Sequence, residues 1–242
     1  MRKPLAGAGI VLVLAVLGWA GGDPWKSKPF QQWNQKDVQQ ILQESPWAKP
    51  NIQASGAWRP LGQSTTAGAG DGAYGTRSST VADGGAEKTR DAMSGAQSYS
   101  AYWWSSRTIR AASCREAVLQ GAMTEADAEK LVAQVPDEYE IRVRGNNMSI
   151  FQERGEKAFG DAGWLELKKS KTKLTPSHIT FDRDPNEKVV SVTFYFPKKD
   201  KSGNPTIIPD EKEMDFFLKI GDAKLITYFE PKKMVDSQGQ DL

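Results

Sequence analysis

The chain has 242 residues, with 32 lysines and arginines against 30 aspartates and glutamates, eight tryptophans and one cysteine. So even a charge argues against nucleic acid as a partner, because phosphates are met by a basic excess. The lone Cys114 excludes an intramolecular disulfide, and the length suits one domain that stands on its own core.

Arg2 and Lys3 open the chain, and Leu5 to Leu17 holds only Leu, Val, Ile, Ala and Gly. Gly18-Trp19-Ala20 follows, with small residues on either side of Trp19. A basic head, a short apolar run and a small-residue exit describe a secretory signal over 1–20. The run is shorter than the roughly 20 apolar residues of a spanning helix. An uncleaved anchor is the alternative, and membrane contact is expected only in that case. Loss of Arg2 and Lys3 leaves 30 charges of each sign, so the exported chain, starting near Gly21 or Asp23, is neutral. The expected location is periplasmic or extracellular.

Pro29 to Lys49 predicts a short helix between two tryptophans. Asn34 caps it, Asp37 sits where a carboxylate favours the helix dipole, and Val38, Ile41 and Leu42 share one face. Pro46 ends it, and Trp33 and Trp47 flank it. A weak extended segment runs from Asn51 to Trp58. From Gly62 to Gln97, 24 of 36 residues are Gly, Ala, Ser or Thr, too few apolar groups to offset ordering entropy. That stretch reads as a flexible insertion, 62–97, within a single domain made of 23–61 and 98–236.

Ser98 to Ser106 reads as a strand with aromatics on both faces, and Thr108 to Gln120 as a helix. Thr124-Glu125-Ala126-Asp127 resembles a capping box opening a helix whose apolar face is Ala128, Leu131, Val132 and Val135. Tyr139, Ile141 and Val143 alternate with charged residues, giving a half-buried strand. A third helix carries Met148, Phe151, Ala158 and Phe159, weakened at Gly155. Five strands follow: 164–168, 178–182, 189–196, 213–220 and 224–230. Gly221-Asp222 makes the tight connection between the last two. The pattern predicts an α+β fold, a mainly antiparallel sheet with a C-terminal meander covered on one face by three to four helices.

Motifs with chemical meaning are thin. Gly70 to Gly75 matches G-x-G-x-x-G, but its neighbours supply neither the strand nor the helix that the phosphate site needs. His178 is the only histidine, and Ser177, placed beside it on a strand, is expected to face the other way. Asp182 to Asn186 begins like a calcium loop, but Glu187 stands at the glycine position, so a hairpin turn is expected. No metal or other cofactor is indicated. Cys114 falls on an apolar helix face. Seven tryptophans remain after the signal, enough for a sugar-stacking platform, though the spacing assigns Trp33, Trp47 and Trp164 to the core.

If the last strands run up and down, alternate connections share one end of the sheet. That end collects Lys171, Lys198, Lys199, Lys232 and Lys233, together with Lys168, Lys169, Lys173 and Lys201. Its field would suit an anionic or polysaccharide component of the cell envelope, whereas solubilising loop charges are the plainer account.

Lys28-Pro29-Phe30, Trp33, Lys36-Asp37, Ser45-Pro46-Trp47-Ala48-Lys49 and the Trp-containing strand before Arg107–Ala112 resemble a group of uncharacterised secreted bacterial proteins. The resemblance extends through Phe229, Lys233-Met234 and Gly239, leaving out the glycine-rich insertion. It implies export and a shared fold, and carries no functional residues. The expected function is therefore a non-enzymatic binding or structural module of the envelope. The rival is an envelope hydrolase with a carboxylate pair. Glu140, Glu153, Asp161 and Glu166 are available to it, and their spacing selects no pair.

Overall fold

The computed structural model describes residues 22–54, 98–220 and 223–242. The expected signal, the insertion at 62–97, the glycine run at 70–75 and the Gly221-Asp222 turn lie outside those residues.

Helix α1 spans Pro24–Ser27, and a 3-10 turn covers Phe30–Gln32. Helix α2, Gln35–Glu44, forms where the periodicity predicts. Asn34 Oδ1 accepts from the Asp37 amide and Asp37 Oδ2 accepts from the Asn34 amide, each at 3.0 Å, which closes a reciprocal capping box. Lys28 Nζ adds 2.9 Å contacts to both Asp37 oxygens. Val38 and Ile41 are fully buried, and Ser45, extended ahead of Pro46, ends the helix. Trp33 and Trp47 are both core residues.

All described strand pairs are antiparallel. The strands are β1 (Ala48–Gln53), β2 (Ser98–Trp103), β3 (Glu138–Gly145), β4 (Gly163–Leu167), β5 (Lys173–Leu174) and β6 (His178–Arg183). They continue with β7 (Val189–Pro197), β8 (Met214–Ile220), β9 (Ala223–Phe229), β10 (Val235–Asp236) and β11 (Gly239–Gln240). The fold is α+β, and its strands divide between two main sheets. One sheet has the order β1-β2-β3-β7-β6 and the other β5-β4-β8-β9, with β10-β11 a separate ribbon. The C-terminal strands thus do not form one continuous meander. The β6–β7 hairpin joins the N-terminal strands, while β4 skips it to pair with β8.

The inner faces of the two sheets meet. Phe194 and Phe196 pack edge-on against Phe216, and Trp103 packs on Phe229 with centroids 5.2 Å apart. Gly163 marks the closest approach, since a Cβ there would lie 2.6 Å from Phe194 Cε1. The rest of the cover is helical. Phe151, on α5 (Ser149–Arg154), and Phe159, on a 3-10 turn, pack on each other and on Phe181. Those two pieces replace the single third helix expected, because Gly155 breaks it at φ 70°.

Helix α3 (Arg107–Leu119) packs between α2 and α4 (Glu125–Ala133). The α4 face is narrower than predicted. Ala128 and Val132 are buried, but Leu131 is exposed, and Val135, 82% exposed, lies past the helix end in the link to Pro136. Packing also continues beyond the expected domain limit at 236, because Asp241 is buried.

Candidate functional site

Period two, read on the outward phase of the four-stranded sheet, places an apolar surface where solvent would ordinarily meet polar groups. Strand β9 alternates strictly between buried and exposed positions, and Ile226 and Tyr228, 49% and 50% exposed, fall on the outer phase. Phe217 stands directly opposite Ile226, and Trp164 stands opposite Phe217, so the three form one row across β4, β8 and β9. Strands lie about 4.8 Å apart, which gives a row roughly 10 Å long. The next row reads Lys173, Glu166, Asp215 and Tyr228.

The rings overlap like shingles. Trp164 and Phe217 are stacked within 9° of parallel, centroids 5.1 Å apart, in the offset arrangement aromatic pairs favour. Lys173 Nζ covers the Trp164 ring at 4.2 Å from its centroid, and Lys49 Nζ stands 5.2 Å from the Tyr228 centroid. Three carboxylates of this face are engaged within it. Glu166 Oε1 accepts from Trp164 Nε1 at 3.0 Å, Asp215 pairs with Lys168, and Glu230 pairs with Lys233 at 2.8 Å. Asp215 holds the Lys168 ammonium above its ordinary pKa through a hydrogen bond, and burial lowers that of Lys49.

Trp164 is thus not a core residue. It shares its phase with Glu166, while Leu165 and Leu167 face inward. Phe217 shares its phase with Asp215 and Lys219, and Ile226 and Tyr228 share theirs with Lys224. The signal that finds this face is an aromatic in step with charged residues, out of step with the core.

The candidate lysines occupy different surroundings. Lys171 follows β4 at φ 57° and, with Lys168, Lys173 and Glu166, lines a hollow of about 310 Å³ beside the Trp164 row. Lys233 sits by Glu230 at the end of β9, and Lys232 is exposed next to it. Lys199 bridges to Pro205 in the loop after β7. Lys198 turns inward, donating to the Pro136 carbonyl at 2.8 Å over the Tyr139 ring, and burial lowers its pKa. Lys169 pairs with Asp210.

A second concave surface is a groove of about 820 Å³ between α1, the start of α3, the end of α4 and the β10–β11 turn. Trp25, Phe30, Arg107, Arg110, Glu129 and Asp236 give it its character. Its carboxylates are held: Asp236 takes Arg107 Nε and Nη2 at 2.9 and 2.6 Å, and Glu129 takes Gln31 Nε2 at 3.0 Å. Arg110 caps α4 through the Leu131 and Val132 carbonyls. Among the four acids open to a hydrolase, burial raises Glu140, opposed by Arg142, Arg110 and Lys198. No hydrogen bond or ion pair joins any two of the four among the described residues.

Ser177 and His178 do meet, contrary to the expectation that they diverge. Ser177 precedes β6, so strand alternation does not apply, and its Oγ lies 3.1 Å from His178 Nδ1. Ser177 also bonds to Glu138, whose other oxygen is 3.5 Å from the same Nδ1. A hydrolytic triad places serine and acid on opposite ring nitrogens. Here both crowd Nδ1, and the ring stacks on Tyr195 at 4.1 Å, which describes a surface polar cluster. Asp184 folds the β6–β7 turn by accepting from the Asn186 and Lys188 amides.

Among the described residues no group of three or more His, Cys, Asp or Glu side chains is placed to hold a metal ion, and no helix is long and apolar enough to cross a membrane. Compared with known proteins, the chain matches no family model, no curated protein and no solved structure.

Proposed function

We propose that this is an exported, non-enzymatic binding module of the cell envelope, and that the outer face of the four-stranded sheet is where it holds a polysaccharide. One observation carries the reading: Trp164, Phe217 and Ile226 form a continuous row, with Tyr228 in the next, on a face where alternation alone would place polar residues. Sugar rings present C–H faces that pack on aromatic surface, and the outer face of a sheet offers that surface without a deep cleft. The groove supports a catalytic role less well, since Glu129 and Asp236 are already bound by protein donors.

Binding to purified envelope polysaccharides, measured by titration calorimetry, tests the proposal. A lost stacking contact is worth about 1 kcal/mol, so Trp164→Ala and Tyr228→Ala should each weaken binding roughly five- to tenfold. Unchanged affinity in both variants would sink the platform reading. Tighter binding of poly(U) than of any glycan would reassign the face to single-stranded nucleic acid, and release of reducing ends would restore the hydrolase. Export predicts a mature N-terminus near Gly21 by mass spectrometry; an intact Met1 in the membrane fraction would indicate the anchor instead.

A further inference from the structure

The rim of this face is chemically uneven, and the unevenness points to a ligand charge. At the β5 end, Lys168, Lys171 and Lys173 line one hollow with Glu166; Glu166 is turned to Trp164 Nε1 and Lys168 is paired with Asp215, which leaves the ammonium groups of Lys171 and Lys173 to set the charge of the hollow. Lys173 links the hollow to the aromatic row, because its ammonium lies over the Trp164 ring. Trp164 is therefore covered on both sides, by Phe217 on one and by Lys173 on the other. The two covers differ in kind. Phe217 comes from a central strand and is half-buried, whereas Lys173 reaches over from the edge strand β5 as an exposed cation held by a weak cation–π contact.

A neutral sugar must displace that ammonium to reach the Trp164 face and offers it only uncharged hydroxyl acceptors in return. A sugar bearing a carboxylate offers the displaced ammonium a partner. Ring and charge would then be satisfied together, the ring on Trp164 and the carboxylate in the hollow between Lys171 and Lys173. We infer that the ligand is a carboxylated glycan, a chain of uronic acid residues, and that Lys173 is the residue that selects for its charge. This rests on the platform reading of the same face.

The probes are hexagalacturonate and its fully methyl-esterified form, which keep the same rings and differ in charge. The wild-type protein should bind the acid at least tenfold more tightly than the ester. Lys173→Ala should act with opposite signs: weaker binding of the acid by about tenfold, and tighter binding of the ester by about two- to fivefold as the ring is uncovered. Lys171→Gln, which leaves Trp164 covered, should weaken the acid without the gain for the ester. Melting curves establish that both variants fold.

Equal wild-type affinity for acid and ester overturns the inference and leaves the platform standing. A parallel loss of both ligands in Lys173→Ala makes Lys173 a structural support and overturns its selecting role. Competition by inorganic polyphosphate as strong as by hexagalacturonate makes the hollow a general anion site, and overturns the carboxylate assignment. Failure of every glycan, these two included, defeats the platform reading itself.

Discussion

Tyr99 shows how one side chain can set a pH limit on the fold. It is 1% exposed at the first inward position of β2, and a Cβ on Gly145 across the strand pair would lie 2.6 Å from its ring. Burial pushes its hydroxyl up to about 12, against about 10 for an unfolded tyrosine. Below pH 10 both states are protonated and the stability is intact. Above it the unfolded chain ionises first, so stability falls by about 2–3 kcal/mol as pH rises toward 12. Burial raises Tyr139 as well, which adds to the total slope. The difference between wild type and Tyr99→Phe isolates Tyr99: the variant's denaturant midpoint should fall less steeply between pH 10 and 12. Parallel slopes would mean that Tyr99 ionises in the folded state.

At the scale of elements, local signals were readable and pairings were not. The α2 cap, its Val38–Ile41 face and its stop at Pro46 are all short-range, and sequence spacing shows them. Period two likewise located β7, β8 and β9. It cannot say which strand lies beside which, and so the crossing of β4 past the β6–β7 hairpin to β8 was hidden. The outer aromatic row was legible in principle, since Trp164 keeps step with Glu166. Reading Trp164 by its apolar neighbours rather than by its phase assigned it to the core. Gly163 is the hinge of this arrangement, because it lets β4 approach Phe194 on the opposite sheet. Phe194 is itself pinned by Phe216, so Gly163→Ala should cost about 1–3 kcal/mol by overpacking. Adding Phe194→Leu should recover part of that loss in a double-mutant cycle, and purely additive losses would show that the two do not touch.

For the molecule as a whole, the decisive contacts join segments far apart in sequence, and no local pattern announces them. The start of α3 is the clearest case. Its first free amides, on Arg107 and Thr108, donate to Asp241 Oδ1 and Oδ2 at 2.7 and 2.9 Å, and Ile109 donates to Ser106 Oγ. The Asp241 carbonyl accepts Trp47 Nε1 at 2.5 Å, and Trp47 packs edge-on with Trp25. One residue thereby ties α3, the tryptophans around α2 and the β10–β11 ribbon into one unit. A helix N-terminus is an anion site, and this one is filled by the chain's own carboxylate. The stretch Pro29 to Lys49 is joined to this latch through Trp47. Asp241→Ala strands two amides, one of them fully buried, and should destabilise the protein by about 2–4 kcal/mol. Asp241→Asn keeps an acceptor but loses the charge, so it should fall between the two. Urea melts measure both, and an alanine variant within 0.5 kcal/mol of wild type would show that water replaces the carboxylate without loss.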